Sequence, residues 1–166
     1  MEKWDLYNKD FQKLNKTVNR GDLLNDDEYH LVINAWIIND KKELLLSQRC
    51  ANKAHAYMWE CTGGSALAGE SDIDACIREA KEELNVDISN SEPIFVGSTL
   101  RYFKGCPDIL RAYLFRNNTP IEKVKIQEEE VMNSMWADKN KLLELNSSGK
   151  LLSNEFLKEI LDIINK

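Results

Sequence analysis

Between Leu31 and Ile38 the chain reads Leu-Val-Ile-Asn-Ala-Trp-Ile-Ile. A short apolar run of branched and aromatic residues, broken only by Asn34, predicts a strand buried on both faces. Asn39-Asp40-Lys41-Lys42 supplies a polar turn, and Glu43 to Gln48 returns as a second strand. Trp4 to Tyr7 predicts a short strand ahead of an Asn8-Lys9-Asp10 turn. Ile94 to Phe103 and Ile109 to Phe115 predict two more, joined around Gly105-Cys106-Pro107, and Met135-Trp136 a last short one.

The apolar period changes in three places. Ser71 to Leu84 repeats Ile73, Ile77, Ala80 and Leu84 at helical spacing, and Ser71 with Asp74 three residues on has the form of a capping box. Lys139 to Leu145 predicts a short helix. Glu155 to Ile164 predicts another, with a stripe of Phe156, Ile160, Ile163 and Ile164. Helices interspersed among strands define an α/β class. With no repeat and no Pro/Gly-rich linker, a single domain over 1–166 is expected, in which 1–28 is an N-terminal extension and a candidate homodimer contact.

Charge narrows the function. The 22 Lys and Arg against 28 Asp and Glu leave a net charge of −6, which suits neither non-specific nucleic-acid binding nor an anionic membrane surface. A polyanionic substrate would need its charge offset locally, and divalent cations do this. No apolar run is long enough to span a bilayer, and the start Met1-Glu2-Lys3-Trp4-Asp5 lacks a signal-peptide core, so a cytoplasmic setting is expected. Cys50, Cys61, Cys76 and Cys106 form no CxxC pair and are expected as free thiols. Cys50, His55 and Cys61 match no familiar zinc spacing.

The chemistry concentrates before and on the strongest helix. A glycine-rich stretch, Gly63-Gly64-Ser65-Ala66-Leu67-Ala68-Gly69-Glu70, is expected as a loop running into it. Glu79, Glu82 and Glu83 lie three and four residues apart and project to one side. Like charges so placed repel by about 0.2–0.5 kcal/mol per pair. Arg78 offsets part of this; a hard cation offsets more, because Mg²⁺ favours carboxylate and phosphate oxygens.

Gly64, then Glu70, then Arg78-Glu79-Ala80-Lys81-Glu82-Glu83-Leu84-Asn85-Val86 resembles the Nudix box, G-x₅-E-x₇-R-E-U-x-E-E-x-G-U, where U is bulky and apolar. Ala80 is smaller than usual, and Asn85 replaces the glycine at the helix end, a left-handed position that Asn tolerates. The resemblance implies a Nudix-type α/β/α sandwich with a mixed β-sheet. It also implies an enzyme that hydrolyses a diphosphate linkage in a nucleoside diphosphate derivative or a related organic diphosphate, using Mg²⁺ or Mn²⁺. By the same resemblance Glu79, Glu82 and Glu83 would hold the cation with a backbone carbonyl at Gly63 or Gly64. Arg78 would orient the carboxylates, and Glu70 would be an auxiliary ligand or electrostatic support. The general base varies in the family; Glu130 and Glu128 are the candidates here.

Tyr29-His30-Leu31, the Trp36 strand, Ser47-Gln48-Arg49 and Met58-Trp59 also resemble the isopentenyl-diphosphate isomerase branch. That chemistry needs a cysteine just before the box glycine and a histidine just after it. Gly63 and Ser65 stand in those places, with Cys61 two positions too early. A non-catalytic, ligand-binding module on the same scaffold would be expected to lose metal carboxylates, and all are present. For the substrate, a small nucleotide-like diphosphate, Arg49, Trp59 and Gly64 are the candidate contacts, while Trp36, Tyr57 and Tyr102 serve equally as packing.

Overall fold

The computed structural model describes residues 1–166. Its centre is the predicted apolar strand, which spans Tyr29–Ile38 and is numbered β3. β3 pairs in parallel with β8 (Asp108–Arg116) from His30↔Asp108 to Ile38↔Arg116. Its other edge is shared among β1 (Lys3–Tyr7), which meets it at Tyr29 and His30, and β6 (Thr62–Ser65), which pairs antiparallel at Val32 to Ala35. β4 (Leu44–Arg49) joins at Ile38↔Leu44 and carries β5 (Trp59–Glu60) and β9 (Val131–Ala137). β2 (Lys13–Asn19) and β7 (Ile94–Arg101) edge the sheet beyond β1 and β8. One parallel pair among antiparallel ones makes the sheet mixed.

Strand alternation sends β3 side chains to two cores. Leu31, Ile33, Ala35 and Ile37 face one core, closed by α1 (Asp72–Leu84) through Ala75, Cys76, Ala80 and Leu84. Trp36 and Ile38 face the other, closed by α2 (Lys139–Ser147) and α3 (Leu157–Ile164) through Leu142, Leu145, Leu157 and Ile160. The result is an α/β/α sandwich, as the resemblance implied.

Several elements depart from the sequence expectation, among them the short, unexpected β5. β2 is a mostly exposed edge strand whose Lys-Leu-Asn-Lys-Thr-Val-Asn sequence has little apolar alternation; its ladder to β1 holds it. The expected glycine loop is partly strand, with Gly63 and Gly64 paired to Asn34 and Ile33 in β6. β9 extends four residues upstream of Met135, through polar Asn133 and Ser134, because it pairs with β4. α3 begins at Leu157 rather than Glu155, whose side chain is engaged with Arg101 instead.

Candidate active site

α1 is fixed at both ends by its sequence. Ser71 caps it, with Oγ accepting from the Asp74 amide at 3.1 Å and donating to the Asp74 carboxylate at 2.6 Å. At the far end Asn85 adopts the left-handed conformation, φ 53° and ψ 34°, and the Val86 amide reaches back to the Ala80 carbonyl at 3.1 Å. With the Asn85 amide on the Lys81 carbonyl at 3.0 Å, that bond ends the helix as a left-handed glycine would. Ala80 is fully buried, so its small side chain brings the helix close to the sheet.

This close approach sets the carboxylates against β6. A Cβ on Gly64 would overlap the Glu79 carboxylate, so only glycine leaves that group its place. Glu83, one turn on, is 7% exposed and accepts a hydrogen bond from the Thr62 hydroxyl. Burial pushes its carboxyl well above the usual carboxylate range, partly opposed by that bond. Burial also raises Glu79, with Arg78 opposing. Glu82 lies farther out, its side chain 53% exposed.

Arg78 organises the cluster. Its Nε and Nη2 grip Glu70 at 2.8 and 3.0 Å, its Nη1 donates to Glu79 at 2.8 Å and Glu82 at 3.2 Å, and its Nη2 also reaches the Ser65 carbonyl at 3.1 Å. The hydrogen bonds that Arg78 donates to Glu70 raise its pKa further. Glu70 also accepts from the Leu67 amide at 2.9 Å. The fork-on-fork pair ties Glu70 to Arg78 and to the loop, and Glu70 does not line the acidic cavity.

Glu79, Glu82 and Glu83 line one cavity of about 290 Å³ with Gly63, Gly64, Arg49 and Glu130. Glu130 lies 2.9 Å from the Lys53 ammonium. Glu128 is exposed, lines no part of this cavity, and offers its backbone carbonyl to the Cys50 thiol at 3.3 Å; of the two candidate bases only Glu130 is brought to the site. Arg49 lines the cavity with its guanidinium braced by the Ala54 carbonyl and Glu60, both at 2.7 Å. Trp59 does not reach it; the indole packs against the second core while the strand backbone bonds to Lys150 and Leu152. Glu2, Arg20 and Lys53 were missed by the sequence reading. Arg20 and Glu2 sit on the β1–β2 hairpin, whose pairing no local pattern announces, and Lys53 lies in a turn without periodicity.

The donor set suits a hard divalent cation: three carboxylates on one helix, one of them buried with a single hydroxyl partner. No three acidic, His or Cys side chains are drawn together as a closed cluster. The reason is visible, since Arg78 turns Glu79 and Glu82 toward itself while Thr62 holds Glu83.

Against known proteins, the NUDIX domain model matches residues 28–159. The chain belongs to the Nudix family. A Nudix hydrolase of Listeria innocua, itself uncharacterized, is 33% identical over 99% of this chain and 96% of its own length. A protein of Deinococcus radiodurans, known as a crystal structure, shares the Nudix fold at a TM-score of 0.73, with 21% identity over 97% of this chain and 98% of that one. An isopentenyl-diphosphate Delta-isomerase of Escherichia coli is 30% identical over 68% of this chain and 64% of its length. As a Nudix hydrolase, the chain belongs among enzymes that act on nucleoside diphosphate derivatives with divalent cations. Its Cys61 thiol is 2% exposed in the second core and pushed well above its usual pKa by burial, which leaves it poorly placed for isomerase chemistry. No helix is long and apolar enough to cross a membrane.

Proposed function

We propose that this Nudix hydrolase cleaves the diphosphate linkage of a small nucleoside diphosphate derivative, with Mg²⁺ or Mn²⁺ held by Glu79, Glu82 and Glu83 and a backbone carbonyl at Gly63 or Gly64. The observation that carries the proposal is the mixed charge of one cavity, lined by Glu79, Glu82 and Glu83 together with Arg20, Arg49 and Lys53. When bound, the cation neutralises phosphate charge and acidifies an attacking water. The chain's own groups do the rest. Arg49 and Lys53, in the lining of the same cavity, contact phosphate oxygens. Arg78, gripped by Glu70, keeps the helix carboxylates oriented. Glu130, positioned by Lys53, accepts the proton of the water as its oxygen attacks phosphorus and the bridging oxygen departs with the bond electrons.

The test is a panel of ADP-ribose, nucleoside diphosphates and triphosphates, and isopentenyl and dimethylallyl diphosphates, with products identified and with Mg²⁺, Mn²⁺ or EDTA present. Nucleoside monophosphate release that EDTA stops is expected. Tight binding without turnover, or isomerisation of isopentenyl diphosphate, would refute the proposal.

A further inference from the structure

We propose that Thr62 is a positioning residue of the cation site: its hydroxyl fixes the Glu83 carboxylate through Oε2 and leaves Oε1 to the cation. The inference rests on the metal reading above and names the group that orients the deepest of the three carboxylates.

The arrangement follows from two periodicities that nearly match. Alternate residues of a strand share a face and lie about 6.6–6.8 Å apart, while residues four apart on a helix share a side and lie about 6 Å apart along its axis. Thr62 and Gly64 therefore turn one face of β6 to α1, and Glu79 and Glu83 turn one side of α1 to β6. Gly64 stands opposite Glu79, where a Cβ would overlap the carboxylate. Thr62 stands opposite Glu83, and its hydroxyl donates to Oε2. Cys61 and Gly63 belong to the other face: Cys61 packs in the second core, and Gly63 lies against Asn34. Thr62 is thus the one β6 side chain on the face that meets the helix carboxylates.

Burial gives that single bond its weight. Thr62 is 1% exposed and Glu83 is buried with it, so water competes little for either group. The backbone of Glu83 is already set, because its carbonyl accepts from the Gln127 amide at 2.9 Å and the Leu84 carbonyl from the Lys125 amide at 3.0 Å. What remains to be fixed is the side chain, and the Thr62 bond is its one hydrogen bond. Glu79 and Glu82 are held differently. Both accept from Nη1 of Arg78, at 2.8 and 3.2 Å, and so share one donor on a long side chain of their own helix. The Thr62 hydroxyl sits instead on a short, β-branched side chain with few rotamers, on a strand paired to the central one at Ala35. Glu83 is therefore the carboxylate whose place is set from the sheet. Valine, of nearly the same shape, would leave Oε2 buried without a donor, and the carboxylate would turn to find one.

Two pairs of side chains that differ at the hydroxyl test the inference: wild type against Thr62→Val, and Thr62→Ser against Thr62→Ala. Mn²⁺ affinity is measured at pH 7.5 from the electron paramagnetic resonance signal of the free ion, and the melting temperature of each metal-free protein is recorded beside it. Thr62→Val should bind Mn²⁺ about tenfold to a hundredfold more weakly than wild type, the range for losing a group that orients a metal ligand. Thr62→Ser should restore most of the affinity, and Thr62→Ala should lose it again. A Thr62 that serves packing alone would shift the melting temperature and leave Mn²⁺ affinity unmoved. Equal affinity within both pairs would overturn the inference. Should Thr62→Val fail to fold, the Ser and Ala pair decides by itself. A wild type that binds no Mn²⁺ would refute the metal reading, a result distinct from equal binding by all four proteins.

Discussion

Glu83 concentrates the tension between stability and chemistry in one side chain. A carboxylate 7% exposed with one hydroxyl partner is costly to keep ionised, and burial accordingly raises its pKa. For an acid whose folded pKa lies above its unfolded value, the native state holds more protons in the window between the two. Stability therefore falls as pH rises through that window and recovers below about 4.5. Glu83→Gln should raise the melting temperature of the metal-free protein at pH 7.5 by about 2–4 °C, the equivalent of roughly 1 kcal/mol in a chain of this size. The gain should shrink as pH falls toward about 4.5 and vanish below it, where both states of wild type are protonated. Addition of Mn²⁺ should stabilise wild type and leave the variant nearly unmoved. Equal melting temperatures for the two metal-free proteins at pH 7.5 would show that Glu83 carries no such burden. That Glu79, Glu82 and Glu83 share one side of α1 was legible in the sequence, because their spacing alone puts them there. Their different depths were not, since depth depends on Ala80 and Gly64 drawing helix and strand together.

At the scale of elements, the segment between β6 and α1 depends on the N-terminal hairpin, which precedes the residues matched by the family model. The Ala68 amide donates to the Lys3 carbonyl at 2.7 Å, and the Gly69 amide to Asp5 at 2.6 Å. Burial raises the Asp5 pKa, but the Gly69 bond and the Lys13 ion pair at 2.6 Å outweigh it and hold the carboxyl below its usual range. Asp5→Ala should cost about 1–3 kcal/mol and speed hydrogen exchange at the Gly69 amide. Exchange at Gly69 as slow as in wild type would mean the hairpin does not anchor the loop. The hairpin was only half legible. Trp4 to Tyr7 carries the apolar residues of a strand, whereas β2 is polar and is a strand only because β1 offers it partners. β6 escaped notice for the opposite reason: glycines carry no pattern, and Gly63 is required by the closeness of the Ile33 carbonyl, a tertiary fact.

Over the whole molecule, β3 divides two cores. Residues on its α1 face support the helix that carries the carboxylates, and Asn34 on its other face opens to a cavity of about 380 Å³. The mixed sheet with helices on both sides followed from the order of apolar runs. The parallel pairing of β3 with β8, across 69 intervening residues from Asn39 to Pro107, has no local signature. Arg101, on β7 beside β8, comes near Asn34 only through that pairing, and Glu155 joins it through an ion pair, so the sequence could not group them. The account as a whole depends on the α1 carboxylates acting in hydrolysis. The most direct test is the rate of AMP release from ADP-ribose, or of monophosphate from whichever nucleotide wild type prefers, measured with Mg²⁺ for wild type and Glu82→Gln at matched folding. The account predicts cation-dependent release by wild type and a fall of at least about 10³-fold in the variant, the scale of losing a group that acts as part of a catalytic unit. Release that survives Glu82→Gln undiminished, or that proceeds equally well in EDTA, would contradict it.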